Sequence, residues 1–431
     1  MKANICILFF LTHFLSFGQE SFDYQEFTKK MCSWEFHGRG YVNQGDLIAA
    51  KFIANQMEEL GIDSLPSGYF QAFTHNVNTF PDTCSVQINT HLLEPGIDYV
   101  INPISNGTCK YAKCNGTRSY DQKHIKILNT REIYKNDLEP SFFGDHKDDM
   151  LYIVHNNLTG LRLEGKQMIQ VMSKYNNVIE LIDDKFIWSI ENKTNEHLYI
   201  QMKKNTFDSI DTQQGDIKIH LHHDYIDNYI SNNVIGHIPS KRKSKGTIMI
   251  TAHYDHLGRM GTETYFPGAN DNASGVAMLL ALGETIKSKP LKKYNTLIVA
   301  FAGEEAGLVG SKYMTENPLC EISKIRFLLN LDIMGSGEHG ITAVNGRVFK
   351  KEFKLLQKMN QKTQAVPVVK ARGKAANSDH YFFTEKGVRS FFVYTMGKNK
   401  NYHDIFDTYE NLNFNSFNGL AKLFDSFLRR L

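Results

Sequence analysis

The distribution of apolar and polar positions divides the chain into three textures. In residues 46–61, DLIAAKFIANQMEELG, the residues Ala50, Ile53, Ala54, Met57 and Leu60 recur at helical spacing. Asp46 stands where a cap is expected and Gly61 where a helix stops, so the pattern predicts an amphipathic helix. From about 70 to 225 the runs shorten to DMLYIV, MIQVM, NVIELI, KFIWSI and EHLYIQM, separated by Asn, Asp, Lys and Gly clusters. These predict a β-rich module without long helices. From about 233 the apolar runs GTIMITAH, NTLIVAF, RFLLNL and SFFVY alternate with helix-like segments. Strands that are apolar throughout are covered on both faces. The predicted fold is therefore α/β, a mixed and mostly parallel central sheet with helices on both faces and a β-rich insert. The closing stretch SFNGLAKLFDSFLRRL aligns Phe417, Leu420, Phe424, Phe427 and Leu431 on one face, as a helix packed on that sheet would.

The first twenty residues have a different pattern. Lys2 precedes an apolar run from Ile5 to Leu15, and the small residues Ser16 and Gly18 follow. This predicts a secretory signal over 1–18, too short to span a bilayer stably, and an exported product, secreted or periplasmic. The expected organisation is then 1–18 signal, 19–70 first part of the α/β unit, 71–228 insert and 229–431 the remainder. At 431 residues with a formal charge of +3, the chain is long enough for one large domain with an insertion or for two to three domains, and nothing in its nearly balanced charge argues for a nucleic-acid partner. The basic stretch SKRKSKG (240–246) reads as a solvated loop. After signal removal five cysteines remain, Cys32, Cys84, Cys109, Cys114 and Cys320, too few and dispersed for a disulfide scaffold. Cys109 and Cys114 are near enough in sequence to close a small loop, and unpaired thiols are an equal alternative.

Candidate chemistry gathers where the late strands end, the usual place for function in an α/β sheet. GTIMITAHYDHLG offers His253 and Asp255, which share a side if the strand stays extended. PGANDNASG offers Asp271, FAGEEAG offers Glu304 and Glu305, LLNLDIMG offers Asp332, and KNYHDIFDT offers Tyr402, His403 and Asp407. Adjacent carboxylates at the end of a buried run repel each other and lose hydration unless a cation or shared proton compensates. His253, Asp271, Glu305, Asp332 and His403 are imidazoles and carboxylates, the ligand chemistry of zinc. Two histidines and three carboxylates suffice for two ions if one carboxylate bridges. His220 and His222 in KIHLHHDY also share a strand face, and a polar face at the insert boundary is the preferred reading there.

AHYDHLG, GANDNASG, FAGEEAGLVGS, NLDIMG, SDHYFF and YHDIFDT occur in the order seen in a known family. Through them the chain resembles the secreted di-zinc aminopeptidases, relatives of glutamate carboxypeptidase and the glutaminyl cyclases. The resemblance covers about 233–431 and, through SWEFHGRG and the helix after it, 33–62. It implies two Zn²⁺ ions, one on His253 and Asp332, the other on Glu305 and His403, with Asp271 bridging. It further implies Glu304 as general base toward a metal-bridged water, Asp255 as the carboxylate that orients His253, and Tyr402 near the tetrahedral intermediate. A cis peptide at Asp271–Asn272 is expected on the same ground. The implied activity is that of a zinc exopeptidase, an aminopeptidase on peptide substrates, with no stable membrane insertion. A glutaminyl cyclase-like acyltransferase and a non-catalytic binding homologue are the alternatives. Two features depart from the pattern or lie outside it: Phe382 stands where relatives often carry proline, and residues 70–225 sit where many insert a protease-associated domain. The oligomeric state is left open.

Overall fold

The apolar runs of the second half become neighbouring strands of one sheet. In the α/β unit these are β1 (Phe70–Thr79), β2 (Ile217–Ile238), β3 (Thr247–His253), β4 (Asn295–Phe301), β5 (Ile325–Asp332), β6 (Gly340–Val344), β7 (Val369–Ala371) and β8 (Ser390–Met396). They lie in the order β7-β6-β8-β5-β3-β4-β2, with β1 paired to β2. The central strands are parallel, β3 with both β4 and β5, and β5 with β8. β2 runs antiparallel to β4, and β6 antiparallel to β8. Register places His253 opposite Phe301 and Asp332 opposite Tyr394, so the carboxyl ends of the central strands are level. That common edge positions the chemistry.

The computed structural model describes residues 22–106, 113–129, 150–155, 172–174, 176–210 and 215–431. The expected signal over 1–18, the Cys109–Cys114 pairing and most of MIQVM lie outside the described residues. Cys32, Cys84 and Cys320 are free thiols. Among the described residues no helix is long and apolar enough to cross a membrane.

Seven helices of the α/β unit are α1 (Tyr24–Met31), α2 (Gly45–Glu59), α3 (Ser274–Ser288), α4 (Val309–Glu316), α5 (Lys350–Thr363), α6 (His380–Glu385) and α7 (Phe417–Leu428). Strand alternation assigns them to faces. Ile248, Ile250, Ile298, Phe327 and Leu329 pack with Ile53, Met278, Leu356 and Phe424 from α2, α3, α5 and α7. Met249, Val299 and Leu328 point the other way, toward Met314 of α4 and Phe383 of α6. Each such side chain, fully buried, contributes about 1.5–3 kcal/mol. The expected sheet with helices on both faces is the observed one.

Two local expectations fail for tertiary reasons. Asp46 does not cap α2; Gln44 occupies the cap position. The Asp46 carboxylate lies in the first turn, buried, and accepts bonds from the Tyr229 hydroxyl (2.6 Å) and Ser231 Oγ (2.8 Å). KFIWSI (185–190) alternates as a strand does, with Phe186 and Trp188 buried, but it joins no sheet.

The insert is rooted in β2. This strand has 22 residues, and its first part, from Ile217, pairs with Cys84–Ile88 and Lys113–Tyr120. It crosses the expected 228/229 boundary without a linker, marked only by a bulge between Ile226 and Tyr229. A separate sheet runs in the order Tyr99–Ile101, Tyr199–Lys203, Asn177–Ile182, Leu151–His155, Ile125–Asn129. On β2, His222 Nδ1 faces Asp82 at 2.6 Å. Among the described residues neither His220 nor His222 belongs to a metal-ready cluster.

Candidate metal centre

β3 ends at His253, and the chain then leaves the sheet. Its imidazole directs Nε2 toward Asp271 Oδ1 (3.3 Å) and Asp332 Oδ1 (3.5 Å). From the far side, His403 directs Nε2 toward Asp271 Oδ2 (3.1 Å) and Glu305 Oε2 (3.2 Å). Asp271 thus offers one oxygen to each imidazole. Both rings are fixed through the other nitrogen, by the backbone oxygen of Asp255 for His253 (3.1 Å) and of Trp188 for His403 (2.8 Å). A backbone acceptor at Nδ1 selects the tautomer whose Nε2 can serve as a ligand.

Asp255 approaches His253 through two atoms. Its carboxylate lies 3.8 Å from His253 Nδ1, while its backbone carbonyl is the nearer partner. The strand stops at His253, so the two-residue alternation does not extend to Asp255. The carboxylate instead accepts the backbone N–H groups of Glu304 and Glu305, both at 3.2 Å. It therefore shapes the turn that carries the two glutamates.

The surrounding loops are stitched together. Asp407 accepts the N–H groups of Asn270 and Asp271 (2.9 Å for the latter), and a cis peptide joins Asp271 to Asn272. Asn272 Oδ1 accepts N–H groups from Gly275 and Ile333, which ties the Asp271 turn to the end of β5. A buried polar chain runs from Thr251 through Asn330 to Ser378, whose hydroxyl lies 3.4 Å from Asp332 Oδ2. His256 Nδ1 holds the second oxygen of Glu305 at 2.9 Å. Arg39, fully buried, donates to the carbonyls of Met31, Tyr254, Pro267, Gly268 and Asp271. The backbone beside it closes on Gly258: a β-carbon on Gly40 would lie 2.4 Å from Gly258 Cα, so only glycine fits. Arg39, His256 and Trp188 received no role from the sequence, and Asp407 was noted there without one. The AHYDHLG and SWEFHGRG motifs contained the first two, but their partners are distant in the chain.

Electrostatics describe a cluster short of positive charge. Burial opposes protonation of both ligand histidines, yet Glu304 and Asp332 hold His253 well above its usual range, and Glu305 with Asp271 raises His403 to about 11. Burial would raise Glu305 and Asp271 too, but His403, and for Asp271 His253 as well, pull both below the usual carboxylate range, Glu305 to about 2. Glu304 and Asp332 lack enough compensation, and burial pushes both up.

The donor set fits a metal. Two ligands about 2.1 Å from one tetrahedral zinc are about 3.4 Å apart, close to the 3.1–3.5 Å separations found here. One ligand atom each from His253, Asp271 and Glu305 lie within 4.8 Å of one another, and so do those from His253, Glu304 and Asp332. Asp332 Oδ1 is buried without a hydrogen-bond partner. Beside the cluster opens a cavity of about 170 Å³, walled by Glu304, Ile333, Arg372, Phe392, Tyr394 and Tyr402. This is smaller than the ~300–1,000 Å³ of typical small-molecule sites, room for about one residue. The Tyr402 ring stacks on His403 at 3.9 Å and stays 42% exposed.

Both the fold and stretches of the sequence have counterparts among known proteins. A zinc aminopeptidase from Bacillus subtilis has a similar fold, with a TM-score of 0.67 and 18% identity over 94% of both chains. A probable leucine aminopeptidase of Arthroderma otae is 31% identical over 212 residues, 46% of this chain and 56% of that protein. The aminopeptidase YwaD of Bacillus subtilis is 34% identical over 111 residues, 25% of this chain and 23% of its own length. The chain spans about half the length, or less, of these curated relatives. Residues 233–428, which carry all five candidate ligands, match the model of peptidase family M28.

Proposed function

We propose that the chain is a zinc-dependent exopeptidase, an aminopeptidase acting on peptides, with two zinc ions. The carrying observation is Asp271, whose two oxygens face different imidazoles, each imidazole also meeting its own second carboxylate. This supports one ion on His253 and Asp332, another on Glu305 and His403, and Asp271 shared between them. Names borne by the relatives, leucine aminopeptidase and zinc aminopeptidase, support the same reading. The Lys2-led apolar N-terminus supports export, by secretion or to the periplasm.

Bound zinc supplies Lewis acidity, which polarises the scissile carbonyl and acidifies water. The protein's own residues do the rest. Glu304 sits in the cavity wall with its backbone N–H held by Asp255. As general base it takes the proton of the attacking water and then returns it to the leaving amine. Burial raises the Glu304 carboxyl, so its ionised form needs the positive charge that a cation held by its neighbours would supply. Tyr402, half-exposed at the mouth, offers a hydroxyl toward the developing oxyanion. The cavity's size suits the side chain of one terminal residue, as an exopeptidase needs.

The test replaces Glu304 by Gln. Zinc content should persist at two ions per chain while turnover of a leucine-bearing peptide falls about 10²–10⁴-fold. A rate within a factor of three of the parent would remove Glu304 from the mechanism. A parent chain that holds no zinc, or that cleaves no peptide with a free N-terminus, would overturn the function itself.

A further inference from the structure

His403 is the one candidate ligand whose ring is held by the insert. It follows β8 in a loop rather than ending a strand, and its φ of +53° lies in the left-handed region. Such a conformation is costly for a non-glycine residue and persists only where the surroundings enforce it. The enforcing contacts come from residues 185–188, more than 200 positions earlier. The Trp188 carbonyl accepts from His403 Nδ1 at 2.8 Å, and the Trp188 N–H donates to the His403 carbonyl at 2.9 Å. Both the ring and the main chain of the ligand are therefore gripped by one residue.

Trp188 is itself anchored on both sides of the boundary between insert and α/β unit. Its indole stacks on Phe266 of the α/β unit, with centroids 4.5 Å apart and planes at 8°. Its Nε1–H donates to the Ile101 carbonyl of the insert at 2.6 Å. A second clip lies beside it. Lys185 Nζ donates to the Lys400 carbonyl at 2.7 Å and meets Asp404 Oδ2 at 3.2 Å. Asp404 in turn accepts the N–H groups of Tyr402 and Phe406, which knits the loop around His403.

From this geometry we infer that Trp188 and Lys185 are positioning residues for one of the two metal ions. The insert segment 185–188 completes the site that contains Glu305 and His403, and that ion binds tightly only when the insert is docked. The His253 and Asp332 site has no such dependence, because both residues end strands of the central sheet and find their partners within the α/β unit. This inference rests on the two-ion reading above and assigns the insert a part in it. It also accounts for an apolar, alternating segment that joins no sheet: the backbone N–H and carbonyl of its Trp188 go to His403.

The experiment measures zinc stoichiometry and affinity by chelator competition on the full chain, with Co²⁺ absorption as a second readout of the Glu305/His403 environment. Trp188→Ala removes the stack and the anchor, and should weaken one ion about 10–100-fold, the usual effect of losing a partner behind a ligand. The other ion should keep its affinity. Trp188→Phe, which retains a ring against Phe266, should recover most of the loss. Lys185→Met is a surface change that leaves the core intact; it should weaken the same ion several-fold even if Trp188→Ala fails to fold. Wild-type affinity at both sites in the Lys185 variant, or parallel loss of both ions in either variant, would overturn the inference. Failure of the parent chain to bind two ions would instead overturn the two-ion reading, which the same titration reports first.

Discussion

Asp255 and Glu304 are joined by a hydrogen bond in which the backbone N–H of the glutamate donates to the aspartate's carboxylate at 3.2 Å. The next N–H, that of Glu305, donates to the other oxygen at the same distance. One buried carboxylate thus fixes both members of the acidic pair and lets their side chains diverge, Glu305 toward His403 and His256, Glu304 into the cavity wall. Burial pushes the Asp255 carboxyl up to about 7, so its two N–H partners and the charge on His253 matter for keeping it ionised.

Asp255→Ala should therefore act as a positioning defect. It leaves two N–H groups without their acceptor at about 1–3 kcal/mol each, so a stability loss of about 2–6 kcal/mol is expected in urea unfolding. Because Glu304 is no longer held, kcat should fall at least tenfold with little change in KM. Asp255→Asn keeps one acceptor oxygen and should lie between alanine and the parent. Loss of zinc with full retention of stability would contradict this role.

Metal removal gives a second prediction. Carboxylates and imidazoles packed this closely share too little positive charge, as the raised Glu304 and Asp332 indicate. Zinc that binds only the folded chain adds about 2.7 kcal/mol per site at 100 times its Kd. Chelation should abolish activity and lower Tm by several degrees, and added zinc should reverse both. In Glu305→Gln the zinc-induced rise in Tm should shrink by roughly half, since one ion loses a charged ligand. A rise in Tm equal to the parent's, read by calorimetry, would mean Glu305 is not a ligand.

Sequence legibility follows the range of each interaction. His253 and Asp332 end strands, Glu305 follows one within a few residues and Asp271 lies just before α3, and apolar patterning alone locates those places. Trp188 acts through a carbonyl, which every residue has and no letter marks. KFIWSI carries the two-residue alternation of a strand because Phe186 and Trp188 are buried while Lys185 and Ile187 are exposed, yet its hydrogen bonds serve a loop. Arg39 reads as one basic residue near a turn, and only the fold brings it to carbonyls up to 232 positions away. Asp46 was misread because an acid before a helical pattern satisfies the local capping rule, whereas Tyr229 and Ser231 claim its oxygens.

That misreading leads to the last prediction. Asp46 is buried to 1% exposure, and burial raises its carboxyl from 3.8 to about 6 despite the bonds from Tyr229 and Ser231. The groups around it are Tyr229, which meets Tyr41 edge to face, and Ser231, which also contacts His75 Nε2 at 3.1 Å; burial lowers that histidine, so no positive charge answers the carboxylate near neutral pH. The folded form therefore holds the Asp46 proton more tightly than the unfolded form. Its contribution to stability is fully present below about pH 4, is lost as pH rises through about 6, and is constant above that. A shift of about two units corresponds to about 3 kcal/mol. Asp46→Asn mimics the protonated acid: its Oδ1 can accept from Tyr229, and its amide can donate to Ser231 while that hydroxyl turns to His75. At pH 8 the variant should be more stable than the parent by about 1–3 kcal/mol, and the gap should close as pH falls toward 4. Denaturant melts of both proteins between pH 4 and 8 measure it. A gap that stays constant across that range, or a variant less stable at pH 8, would show that Asp46 is held ionised by its hydroxyl partners and that burial costs it nothing.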